Sequence, residues 1–180
     1  MGDGKVEGRG SGGDEADDRP AQVTLLRTPI SLDYDYSAGQ SASRFLREIE
    51  KGKLVGQRCP VDGRVYFPSR GSCPQHAVTF GEETVELSDK GTVVTFSIVR
   101  VPSANIPLEL PYIAVNVVLD GADTILMHVL DAKLDEVHMG MRVQAVWKPR
   151  EEWTTSTANI LYFRSIDEPD ADYDLYKEHI

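Results

Sequence analysis

Cysteine is scarce in this chain: Cys59 and Cys73 are the only two in 180 residues. Two thiols cannot build a four-thiolate metal site or a disulfide framework, and nothing in the chain points to an oxidising compartment. Long apolar runs are missing as well. None approaches the length of a membrane span, and the N-terminus has no apolar core of a secretory signal. The expectation is a cytoplasmic protein with no membrane attachment. Positive charge is short, with 19 Lys and Arg against 29 Asp and Glu for a net charge of −10. A nucleic-acid binder draws much of its affinity from neutralising phosphates, so this balance argues against that class. The familiar catalytic signatures are also absent: no nucleophile elbow, no H-E-x-x-H, no P-loop and no G-x-G-x-x-G. His128 falls within a predicted strand, His138 beside a turn and His179 near the end of the chain. None has a carboxylate or nucleophile partner in sequence, which leaves them as structural or surface residues.

What is present suffices for a core: 41% of the residues are apolar. The length fits one domain, or a small module plus one domain. Charge is unevenly placed. Residues 165–180 hold one basic side chain, Lys177, whereas residues 44–70 hold Arg44, Arg47, Lys51, Lys53, Arg58, Arg64 and Arg70. This basic zone is a solvated face or a place to meet a phosphate-bearing ligand or an acidic partner.

The most informative stretch runs from Arg58 to His76. Cys59 and Asp62 stand three residues apart, and so do Cys73 and His76. In Cys59-Pro60-Val61-Asp62-Gly63 a tight turn lets two side chains converge on one ion, and Gly63 supplies the positive φ that closes it. Cys73-Pro74-Gln75-His76 lacks the glycine, which predicts a looser second turn. The four side chains form a plausible Cys₂-His-Asp zinc set, since carboxylate oxygen is a competent ligand. A degenerate ribbon without metal and a Cys59–Cys73 disulfide are the other readings.

Along the chain, residues 1–22 read as a disordered tail rich in Gly, Asp and Glu. Residues 23–43 read as an extended arm, with Val23 to Ile30 docked and Asp33-Tyr34-Asp35-Tyr36 exposed. Ser41 to Lys51 is a short helix whose Phe45, Leu46 and Ile49 share one face, stopped by Gly52. Leu54–Arg58 and Val65–Phe67 make a hairpin, so residues 44–80 form a helix-and-ribbon unit. Strands follow at Thr92–Val99, Tyr112–Leu119, Thr124–Leu130, Met141–Trp147 and Ile160–Ile166, with a helical or turn segment at Leu134–Met139. That count suits a small closed barrel over residues 81–166, with an OB-fold fitting and a sandwich as the alternative. The fold class is therefore mainly β: an N-terminal helix and zinc-ribbon hairpin, then an OB-fold barrel. Residues 167–180 read as an acidic tail whose Tyr173 and Tyr176 order only on a partner.

The succession of Gly52-Lys53-Leu54 with Arg58-Cys59, Tyr66-Phe67-Pro68 with Arg70, and the strand segments that follow resembles one known family. It is similar to the acyl-CoA-associated proteins in which a rubredoxin-like zinc ribbon precedes an OB-fold, domain of unknown function thirty-five. The likeness runs from about Phe45 to Ile166. The family's four metal positions fall on Cys59, Asp62, Cys73 and His76, and the family usually has Cys at all four. The resemblance implies a non-catalytic subunit in a hetero-oligomer. Its partner would be a thiolase-like or lipid-transfer-protein-like aldolase subunit acting on acyl-CoA, including the aldolases of steroid side-chain degradation. An acyl-CoA-binding module working alone through the OB-fold is the alternative. A metalloenzyme is disfavoured, because four ligands would close the site.

Overall fold

The structure is a computed structural model, and it describes residues 25, 30, 32, 34–103, 106 and 108–180. The chain divides into two units, Met1–Tyr36 and Ser37–Ile180. In the first, Leu25, Ile30, Leu32, Tyr34 and Tyr36 are all exposed. The expected disordered tail and most of the expected arm lie outside the described residues.

The second unit opens with helix α1, Gly39–Ile49, which buries Phe45 and Ile49. It begins two residues before the predicted start, and Ala38 at its N-cap makes no side-chain hydrogen bond. No capping residue therefore marked the start. The helix also ends at Ile49, two residues before the predicted Lys51, because the amides of Lys51 and Gly52 bond back to Glu48 and Ile49 and tighten the last turn. A three-stranded antiparallel sheet follows, in the order β2 (Val65–Tyr66), β1 (Leu54–Arg58), β3 (Val85–Leu87). Its buried Leu54, Val55, Val65 and Leu87 join Phe45, Ile49 and Phe67 in the main core.

The remaining strands close a barrel. They are β4 (Lys90–Val99), β5 (Tyr112–Leu119), β6 (Ile125–Asp131), β7 (Arg142–Trp147) and β8 (Ile160–Ser165), arranged β4-β5-β6-β8-β7. β5 shows the strict alternation of a half-buried strand, with Ile113, Val115, Val117 and Leu119 inside. A bulge in β4 at Val94 shifts its register against β5, and Val93 and Val94 are both fully buried there. Closure comes from β8, which pairs antiparallel with β7 and, through Leu130↔Phe163 and Asp131↔Arg164, parallel with β6. This is the OB-fold, mainly β with one N-terminal helix. The segment Leu134–Met139 is a turn, not a helix.

The ribbon sheet and the barrel are joined at the β5–β6 turn. The amide of Val65 donates to Asp123 Oδ2 at 2.7 Å, and the amide of Asp123 donates to the Val65 carbonyl at 2.8 Å. Thr124 Oγ1 both accepts from the Phe67 amide and donates to the Phe67 carbonyl, each at 2.7 Å.

The C-terminal tail departs from expectation. Residues 167–180 lie on their own barrel, with Tyr176 buried and the Ala171 amide bonded to the Gly140 carbonyl at 2.9 Å. Arg142, bidentate to Asp120, also reaches Glu168, and His138 Nε2 lies 2.9 Å from Asp170 Oδ2. Tyr176 is therefore ordered on its own barrel, and not only on a partner as expected, while Tyr173 remains exposed. The tail's carboxylates meet Arg142, Lys90 and His138, and one tyrosine finds a pocket beside Gly140.

Candidate metal centre

Two turns of one design build the centre. In the first, the Cys59 amide donates to the Arg64 carbonyl at 2.8 Å and the Gly63 amide to the Cys59 carbonyl at 3.0 Å. In the second, Cys73 N donates to Val78 O at 2.8 Å and Ala77 N to Cys73 O at 2.9 Å. Gly63 has φ 79°, as the turn requires. Ala77 occupies the matching position with φ 53° and carries the strain that a glycine would avoid. The second turn is thus closed by the same hydrogen bonds as the first and is not the looser of the two.

The turns bring Cys59 Sγ, Cys73 Sγ and a ring nitrogen of His76 within 4.8 Å of one another. His76 Nδ1 lies 3.5 Å from Cys59 Sγ and 3.4 Å from Cys73 Sγ. Tetrahedral zinc with ordinary bond lengths would hold sulfur and nitrogen about 3.5 Å apart. The spacing therefore fits a metal, and this Cys-Cys-His group could hold an ion. Asp62 stands at the margin of the group. Its Oδ2 is 3.8 Å from His76 Nδ1, and its Oδ1 accepts from the Arg64 amide at 3.1 Å. Both cysteines are free thiols, each about 1% exposed. His76 and Asp62 form the wetter side of the centre.

Electrostatics distinguish the two thiols. Burial pushes the Cys59 thiol up, against the backbone N–H groups of Asp62 and Val61 that point at its sulfur. Burial acts on Cys73 in the same sense but is overcome. The Tyr66 hydroxyl, the His76 ring and the amides of His76 and Gln75 bring Cys73 down to about 6. Tyr66 itself is pushed up to about 12, first by its hydrogen bond to Cys73 and then by burial. At Asp62 burial opposes ionisation, yet the Arg64 amide, the Cys59 thiol and the charges of His76 and Arg64 hold it below the usual carboxylate range. Each turn therefore aims N–H groups at a sulfur that would carry charge as a metal ligand.

Sequence reasoning missed the support around these ligands. Tyr66 and Phe80 pack on the two cysteines as a separate small core, their rings 5.3 Å apart. Gln57, 2% exposed, accepts from Ser69 Oγ and donates from Nε2 to the Gly81 carbonyl at 2.8 Å, bracing both hairpins from within. The one available signal was a glutamine that directly follows Leu, Val and Gly in a strand whose only exposed residue is the final Arg58. Most of the basic zone is engaged locally: Lys53 with Glu86, Lys51 with Glu48, Arg64 with Asp62 and Glu178, Arg44 with the Glu82 carbonyl and Arg58 with the Gly63 carbonyl. His128 is half-buried edge-on against Phe163, 5.6 Å between ring centroids, and burial lowers its pKa. Among the described residues, no helix is long and apolar enough to cross a membrane.

Comparison with known proteins follows the fold. Residues 84–148 match the family model for the C-terminal OB-fold domain of ChsH2. A DUF35 domain-containing scaffold protein of Methanocaldococcus jannaschii is 36% identical over 103 residues, covering 57% of this chain and 73% of that protein. One from Pyrococcus furiosus is 33% identical over 112 residues, covering 62% and 81%. Among solved structures, the Ltp2-ChsH2(DUF35) aldolase aligns with a TM-score of 0.54 at 22% identity, covering 73% of this chain and 98% of that one. A DUF35 protein of unknown function from Sulfolobus solfataricus aligns with a TM-score of 0.52 at 18% identity, covering 71% and 84%. The two structural likenesses speak to the fold, and the sequence relatives to descent: this chain belongs to the DUF35 family.

Proposed function

We propose that the chain is a non-catalytic accessory subunit that supports the assembly and activity of a thiolase-like or aldolase partner acting on acyl-CoA. The observation that carries this reading is the pair of relatives at 36% and 33% identity, both named scaffold proteins. The local chemistry supports it. The best-formed cluster of chemistry-bearing side chains holds two buried thiols and a histidine between two turns, an arrangement suited to cross-linking hairpins. The test is direct. The pure chain should neither thiolyse nor cleave acyl-CoA substrates, and co-expression should raise the yield or activity of the partner. Turnover by the pure chain would overturn the proposal, as would a partner indifferent to its presence.

We propose zinc as the ion, held by Cys59, Cys73 and His76 with Asp62 as the fourth ligand. The ion would supply a cross-link between the two turns, and its binding energy would be folding energy. An acyl-CoA-binding module is the second reading. One observation favours it: an open groove of about 630 Å³ along α1, lined in part by Arg44, Arg47 and Lys51, where a phosphate could sit. Titration of the isolated chain with CoA would separate the two.

A further inference from the structure

Over Ala114–Val118 and Ile125–Val129 the outer face of the β5–β6 hairpin carries no ionisable side chain, and Asp131, beyond this stretch, is paired with Arg164. Because Ile113, Val115, Val117 and Leu119 point inward, the alternate residues of β5 point out. The register Ala114↔Val129, Asn116↔Met127 and Val118↔Ile125 places β6's Val129, Met127 and Ile125 on the same outer face. None of these six is ionisable, in a chain where 27% of residues are charged. Met127 is 73% exposed and Ile125 is 39% exposed. A large apolar side chain this open to water at the centre of an uncharged sheet face is unusual for a surface that stays wet.

The same stretch has an open backbone edge. β6 meets β8 only at Leu130 and Asp131, whereas its pairing with β5 begins at Ile125. Over Ile125–Val129, β6 is bonded to β5 on one side and, among the described residues, to no strand on the other. Edge strands are normally protected by lysine, proline or a bulge, and Ile-Leu-Met-His-Val has none of these.

We infer that Ile125–Val129 is a docking edge for an extended, uncharged and apolar segment of a partner polypeptide, which adds a strand to the barrel beside β6. This rests on the accessory-subunit reading and locates its contact. The unpaired backbone calls for an extended chain, because only a strand answers a row of amides and carbonyls. The uncharged face calls for apolar side chains, which bury here without stripping water from an ion. Charge chooses between partners. A second copy would bring together two chains of net charge −10, and their repulsion opposes self-association. A polypeptide without that excess of negative charge carries no such penalty.

The experiment uses the full chain and the thiolase-like subunit that co-purifies with it. In the isolated chain, amides of residues 125–129 that face away from β5 should exchange rapidly with deuterium. In the complex they should slow by about tenfold or more. Met127→Lys, at an open position, should leave the thermal melt unchanged and weaken the complex about tenfold or more, while Met127→Leu preserves it. Full affinity in Met127→Lys, with exchange at 125–129 unaltered, overturns the inference and leaves the accessory reading intact. A wild-type chain that forms no complex overturns both. Protection already present in the isolated chain would assign the edge to a segment of its own. A self-dimer lost on Met127→Lys would assign it to a second copy. Either result overturns the inference.

Discussion

The Sγ of Cys73 and the hydroxyl of Tyr66 share a hydrogen bond of 3.4 Å, which the thiol donates when protonated and the hydroxyl donates once the sulfur is ionised. Tyr66 lies on β2, beside the first turn, while Cys73 starts the second, so the bond ties one ligand to the other ligand's hairpin. It also stabilises the ionised sulfur, the form that binds metal.

Removing that bond should therefore be visible in the metal-free protein. Tyr66→Phe keeps the ring packed on Phe80 and deletes only the donor. The Cys73 thiol, held at about 6, should rise toward its ordinary range, and alkylation at neutral pH should slow. An unchanged profile of alkylation rate against pH would show that the amides and His76 suffice alone.

One zinc per chain is expected by elemental analysis of protein purified without chelator. Cys59→Ser, Cys73→Ser and His76→Ala should each lose most of the metal and lower the melting temperature. Asp62→Ala should weaken binding less, because its carboxylate stands at the margin of the group and is partly engaged by Arg64. A wild-type protein with no bound metal would leave a ribbon held by packing alone.

Ala77→Gly should stabilise the protein. The residue sits at φ 53°, where a Cβ is disfavoured, and relief of that strain is worth about 1 kcal/mol. For a chain of this size the melting temperature should rise by about 2–4 °C. Gly63→Ala should cost a similar amount. A loss of stability in Ala77→Gly would mean that the greater freedom of glycine in the unfolded chain outweighs the strain.

These outcomes show what could be read in advance and what could not. The alternation of Tyr112–Leu119 announced β5 at its true limits, since a strand with one wet face writes its period directly into the sequence. The three-residue spacings marked Cys59–Asp62 and Cys73–His76 as two turns, because a tight turn is a local object, whereas the meeting of Cys59 with Cys73 and His76 is a tertiary contact. Ala77 was not legible, as nothing marks an alanine that must take a glycine's conformation. Neither were Tyr66 and Gln57, whose partners Cys73, Ser69 and Gly81 lie 7 to 24 residues away. Strand β3 is three residues long and exists because β1 offers it an edge. Tyr176 sits in a tail whose acids and tyrosines pointed to a partner's surface, and its burial beside Gly140 is a tertiary fact.

The tail should respond to pH through His138. The Glu136 carbonyl and the Asp170 carboxylate raise its pKa above the ordinary 6.5. A raised folded-state pKa stabilises fully below 6.5, and that contribution fades as pH climbs through the folded value. His128, lowered by burial, acts in the opposite sense: its contribution is present above 6.5 and is lost as pH falls. A global melt mixes the two, so the readout must be local. Protection of the Ala171 amide, corrected for intrinsic exchange, should hold below the ordinary 6.5, fall as pH climbs above it in the wild type, and stay level in His138→Gln. No fall in the wild type would mean that the pair does not hold the tail.

Tyr176→Ala, or deletion of residues 169–180, should lower stability by about 1–3 kcal/mol through lost burial and lost contacts at Gly140. A melt identical to wild type would show that the tail's contacts contribute nothing to the barrel.

The four hydrogen bonds between residues 65–67 and residues 123–124 bear on engineering. A splice between ribbon and barrel leaves the chain's covalent order intact yet parts Val65 and Phe67 from the turn that answers them. A chimera drawing its ribbon from one relative and its barrel from another must carry Asp123 and Thr124 along with the ribbon, or leave the partly buried amides of Val65 and Phe67 without these acceptors. Ribbon and barrel are thus coupled in folding, and an exchange of one without the other should cost stability.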